Sequence, residues 1–173
     1  IAGVGTAMTA AVTVPLAGLA TASAAKFGEV DKSLKLVQQT MGSTDEQAKV
    51  LEGAIKKAAA NSVYGMQDAA DAALNYARQG FSATQAAGMI APAMNLAAGT
   101  ATDLATVTGG VGNAMKIFAD QGLEAESAAN MLAKAQAQAN TTVTDLFEAM
   151  STAGPMLDSV GWSFKDLAVV TDV

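Results

Sequence analysis

The chain contains no histidine and no cysteine. The first absence removes the Ser-His-Asp triad, the Cys-His pair and His-ligated zinc together. The second removes disulfides, thiolate metal sites and any inference of compartment from redox chemistry. Aromatic residues make up only 5% of the sequence, too few for a thick aromatic core. Positive charge is scarce as well: ten Lys and Arg stand against sixteen Asp and Glu, for a net charge of −6. Lys32, Lys35, Lys56, Lys57, Arg78, Lys116, Lys134 and Lys165 are scattered rather than clustered. Phosphate recognition needs clusters, so no specific nucleic-acid binding is expected.

What remains is small and apolar. Alanine is the largest single part of the 51% hydrophobic content, which favours close helix packing and disfavours sheet, where Val, Ile and aromatics dominate. No stretch alternates apolar and polar residues over a strand length with hairpin signals at its end. At 173 residues the chain fits one domain with a sizeable core. It opens at Ile1 without an initiator Met and stops at Val173 inside an apparent helix, so a piece of something longer is expected.

Residues 1–25 carry no charge. A helix needs about 20 apolar residues to span a bilayer, so the run is long enough. Its candidate membrane-inserting residues are Ile1, Val4, Met8, Val12, Val14, Pro15, Leu16 and Leu19. Gly3, Gly5, Gly18 and the many Ala and Thr weaken insertion but allow tight helix contact. A buried or oligomer-packed helix is therefore the other reading. Composition shifts at Ala25–Lys26, dividing an apolar segment, 1–25, from an Ala-rich helical repeat region, 26–173.

Helix punctuation runs through the second region. Phe27, Val30, Leu34, Val37 and Met41 form an apolar stripe. Gly42 can end that helix, and Ser43 with Glu46 reads as a capping box. Ala48, Leu51, Ile55 and Ala58 mark the buried face of the next helix, broken at Asn61–Ser62. Another helix is expected from Met66 to Gln79, ended by Gly80, with Asp68 in its first turn. Ser82 with Gln85 begins the one after. Gly99 with Thr102, Gly122, Asn140 with Thr144, and Gly161 before Ser163 and Asp166 supply the later breaks. The principal structural breaks are Gly42, Gly80, Gly122 and Gly161.

These breaks repeat. Gly80–Phe81, Ala86–Ala87, Met89–Ile90–Ala91 and Thr102–Asp103–Leu104 recur as Gly122–Leu123, Ala128–Ala129, Met131–Leu132–Ala133 and Thr144–Asp145–Leu146. A period of about 40 residues suits two helices and two turns. The expected fold is all-α: short antiparallel αα-hairpin units packed as an array or bundle, preceded by an apolar N-terminal helix.

Chemistry-bearing patterns reduce to structure. Asp45, Glu46, Asp68, Asp103, Glu124, Glu126, Asp145 and Asp166 all fall near helix starts, where capping explains them. Gly109–Gly110–Val111–Gly112 lacks the Lys–Ser/Thr of a phosphate loop. It reads as a small-residue face for a close helix neighbour, or as a kink. Met89, Met94, Met115, Met131, Met150 and Met156 read as core filling, and Trp162 as an apolar staple on the following helix. No enzyme, metal or cofactor is expected.

The ordered series resembles a family. It runs from Thr13–Val14–Pro15–Leu16 through Ala25–Lys26–Phe27, then through repeated Gly–apolar–Ser and Thr–Asp–Leu helix starts. It is similar to the conserved helical region of phage tail tape measure proteins. The resemblance implies a non-enzymatic component of a phage tail or tail-like particle, lying in the tube lumen and setting tail length. It implies assembly and DNA-delivery roles, self-association along the tube axis, and tail-tube and tail-tip proteins as partners. The host membrane and cell envelope follow as the location after ejection. The alternatives are a membrane-active pore-forming helical protein and a helical adhesion module.

Overall fold

A computed structural model describes residues 30–139 and 141–166. The described part is all-helical: α1 (residues 30–41), α2 (Asp45–Ala60), α3 (Met66–Arg78), α4 (Ala83–Thr100), α5 (Leu104–Ile117), a short 3-10 turn (Ala119–Gln121), α6 (Ala125–Gln138), α7 (Val143–Ser159) and the first turn of α8 (residues 164–166). The segment expected as an apolar N-terminal helix, residues 1–25 with Ile1 through Leu19, lies outside the described residues, as does Phe27.

Local chemistry sets each start. Thr44, Ser82 and Thr142 cap α2, α4 and α7, accepting from the backbone N–H of Gln47, Gln85 and Asp145. The side chains of Gln47, Gln85 and Asp145 accept in return from the capping residues' N–H groups. Ser163 and Asp166 make the same exchange at α8. Four glycines, Gly42, Gly80, Gly122 and Gly161, take positive φ of 58°, 87°, 65° and 84°. In this left-handed region a Cβ is strained, which makes each a natural helix stop.

Three expected breaks move. The box at α2 is Thr44 with Gln47, not Ser43 with Glu46. Ser43 has the right chemistry, but the chain takes its extended cap conformation one residue later, and the Ser43 hydroxyl is buried without a partner among the described residues. Gly99 stays inside α4, which ends at Thr100 with Ala101, at φ 51°, as its C-terminal cap, and Asp103 rather than Thr102 caps α5. Thr144 lies inside α7, two residues beyond the Thr142 cap, and Asn140 is outside the described residues. Pro92 and Pro155 sit within α4 and α7, each removing one helical N–H donor without ending its helix.

The helices form two layers. In one, α4 packs between α2 and α6; in the other, α5 packs between α3 and α7. Hairpin neighbours, α2 with α3 and α4 with α5, bridge the layers. This is the arrangement of a stacked array of αα units. The core between the layers is built from Ala69, Ala73, Ala86, Ala93, Ala97, Ala114 and Ala128, all at or near zero exposure, around Ile55, Tyr76, Ile90, Met94, Val107, Val111 and Phe118. Alanine at these positions lets helices approach closely.

Candidate functional site: the seams between stacked units

The seam residues come from α3, α5 and α7. At Gly110 of α5 an added Cβ would overlap the ring of Phe147 from α7, and at Gly112 it would overlap the side-chain amide of Gln79 beside α3. The glycine run is thus a small-residue face for two neighbours, and α5 continues unbroken through it. A second large-on-small contact lies two turns on: Ile117 of α5 comes to 3.3 Å of the position a Cβ at Gly154 of α7 would occupy.

Polar ties lock the same seam. Thr108, fully buried on α5, accepts from Asn75 Nδ2 at 3.1 Å and donates to the Ala105 carbonyl at 2.9 Å. Gln79 Nε2 donates to the carbonyls of Asn75 and Thr108, each at 3.3 Å. One repeat later, Gln121 plays the corresponding part. Its Nε2 donates to Asp158 Oδ1 at 2.7 Å and to the Trp162 carbonyl at 3.0 Å, and its Oε1 accepts from the Phe164 N–H. Phe118 meets Phe164 edge-on at 5.5 Å. Both glutamines immediately precede a positive-φ glycine, so the tie to the next unit sits just before the turn. Sequence reasoning missed both; the Gln–Gly pairs at 79–80 and 121–122 were the available signal.

Tyr76 is buried edge-on to Phe81, ring centroids 5.9 Å apart, and its hydroxyl has no partner among the described residues. Burial raises its phenol above the ordinary value. Lys116 places its ammonium 5.6 Å from the Phe81 ring centroid. The carboxylates of Asp145 and Asp166 are held below the ordinary range, chiefly by the hydroxyls of Thr142 and Ser163. Asp68 and Asp103 also accept from backbone N–H groups at helix starts. Glu124 stands at the cap of α6 without making such a bond. An open groove of about 550 Å³ runs between Phe81, Met89, Met115 and Leu123, with Glu124 and Glu126 at its rim.

One expectation fails at the end of α7. Met89, Met94 and Met150 are core residues, but Met156 is 72% exposed. Trp162 is 42% exposed, whereas Phe81, at the same place in an earlier unit, is buried; Leu167, the position Trp162 would staple, lies outside the described residues. Phe81 packs against Tyr76 of α3 and under Lys116 of α5; α7 is the outermost helix of its layer among the described residues. Among those residues no helix is long and apolar enough to cross a membrane. The membrane-inserting candidates Ile1, Val4, Met8, Val12, Val14, Pro15, Leu16 and Leu19 are outside them.

Comparison with known proteins returned no match among curated proteins and none among solved structures. A family model described as phage-related minor tail protein matches residues 52–173. That span holds α3 to α7, every seam described above and most of α2. The chain belongs to the phage-related minor tail protein family.

Proposed function

We propose that the chain is a region of a tape measure protein: a structural, non-enzymatic component lying in the tail-tube lumen and assisting assembly and DNA delivery. The family match carries the tail assignment. The finer reading draws on the ordered helix starts of the sequence and on a fold whose built features are seams between stacked units. The partners are further copies of the chain along the tube axis, tail-tube protein and tail-tip protein.

A straight helix converts residue count into distance at about 1.5 Å per residue. Hairpin units fold that distance away, so this region is packed material beside the ruler rather than the ruler itself. Crosslinking mass spectrometry on purified tails tests the placement. Links from Lys49, Lys116 or Lys134 to tube and tip proteins are expected, and absence of the chain from purified tails contradicts the reading. The uncharged run 1–25 supports a second role at the host envelope after release. Liposome leakage that is lost on deleting 1–25 supports that role, and leakage that survives the deletion removes it.

A further inference from the structure

Two cavities adjoin between α4 and α6. The first is the groove of about 550 Å³ at Phe81, Met89, Met115 and Leu123. The second, of about 270 Å³, lies between Pro92 and Asn95 of α4 and Ala129, Asn130 and Ala133 of α6. Glu126 lines both, so they form one furrow. Along α4 it follows Gln85, Gly88, Pro92 and Asn95, a spacing that keeps to one helix face. That stretch is about 15 Å of helix. The furrow is not an end of the array: its walls are consecutive units, and the unit that follows α4 is already in place as α6.

Its chemistry is one-sided. Phe81 and Met89 are buried there, and Met115 and Leu123 half-buried. Glu124 and Glu126 are exposed, neither joins an ion pair among the described residues, and no Lys or Arg lines either cavity. Lys116 holds its ammonium over the Phe81 ring instead. Pro92 adds a further acceptor. It has no N–H, so the Gly88 carbonyl loses its helical donor, and Gly88 is exposed with nothing within 4 Å of an added Cβ.

We propose that this furrow docks a basic amphipathic helix of another protein. Its apolar side chains enter over Met89 and Met115, and its Lys or Arg side chains reach Glu126, Glu124 and the Gly88 carbonyl. A helix laid in a groove is anchored in this way, and methionine adapts its shape to the side chains it receives. Charge decides the occupant. Residues 1–29 of the chain itself offer Lys26 alone against Glu29, and residues 167–173 offer no cation, too little to answer two carboxylates. Other cavities lack the imbalance: between α1 and α2, Asp31 and Glu52 are already paired with Lys35 and Lys56. Glu124 also lines the cavity at the start of α8, which carries Lys165, so Glu126 is the carboxylate to test.

The inference draws on the tail reading above only for where such a partner is met. The test uses the intact chain with isotope-labelled methionine methyl groups. The probe is a synthetic Leu-Lys amphipathic peptide of about 15 residues, long enough to hold a helix. Saturable shifts of the Met89 and Met115 methyl signals are expected, with Met94 and Met150, buried outside both cavities, unmoved. Affinity should fall by about tenfold in Glu126→Lys, and as far in Gly88→Leu, which fills the furrow. Gly99→Leu, at another exposed glycine of α4 that lines neither cavity, should bind as the native chain does. The same peptide with Glu for Lys should not bind. Unmoved Met89 and Met115 signals, equal binding of the Glu peptide, or undiminished binding to Gly88→Leu each overturns the site. Shifts that extend equally to Met94 and Met150 report a disturbed fold and overturn it too. None of these results alters whether the chain is found in purified tails, so the tail placement stands or falls by its own crosslinks.

Discussion

Glycines that differ in backbone conformation should respond oppositely to the same substitution. Gly80, at φ 87°, should lose about 1 kcal/mol of stability as alanine, because a left-handed residue with a Cβ is strained. Gly99, exposed inside α4 with nothing within 4 Å of an added Cβ, should gain about 0.5–1 kcal/mol. Urea unfolding of the two variants measures both signs. Tyr76→Phe removes a buried hydroxyl that has no partner among the described residues and should raise stability by about 1 kcal/mol. Gly42, Gly80 and Gly161 were marked because a serine follows each within two positions, and Gly122 by its place in the repeat. Gly99 carried no such distinction from them. The left-handed turn fell instead on Ala101, an alanine that no propensity rule would select.

Helix starts carry the pH dependence. Asp145 and Asp166 have folded-state values lowered from 3.8 by Thr142 and Ser163. Their contribution is complete above that ordinary value and is lost as pH falls below it through the lowered folded-state value. Amide exchange at the starts of α7 and α8 should therefore quicken in that acid window while Gly80 and its neighbours, which lack such a carboxylate, change less. Across the seam, Gly110→Ala should cost about 1–3 kcal/mol through collision with Phe147. Adding Phe147→Leu should restore part of the loss, and a double-mutant cycle measures the coupling. The small face on α5 was legible as a run of glycines. Which side chains would fill it was not, because Gln79 and Phe147 reach it only through the packing of α3 and α7 on either side of α5. Pro92 and Pro155 show the limit of breaker rules: helix caps on both sides and packing against neighbours hold α4 and α7 through them.

At the scale of the molecule, charge is distributed unevenly. The α1–α2 end bears ion pairs, while residues 79–115 carry Asp103 as their lone charge. The all-α class and the unit length were legible from periodic caps. The second half of the repeat slips, since α4 has 18 residues and α6 has 14. As a result Asp103 caps α5 directly, while Asp145, aligned with it in sequence, serves as the box partner of Thr142. Alignment of residues could not reveal that change of role; only the different helix length does.

Tail length in a phage whose gene lacks codons 80–121 tests the account most directly, because the deletion removes one whole unit and rejoins Gln79 to Gly122. If this region is a packed array flanking the ruler, electron micrographs should show tails within about 10 Å of their normal length, at most one helix-packing step. Tails shortened by about 60 Å, the length of the deleted residues as a straight helix, would contradict it.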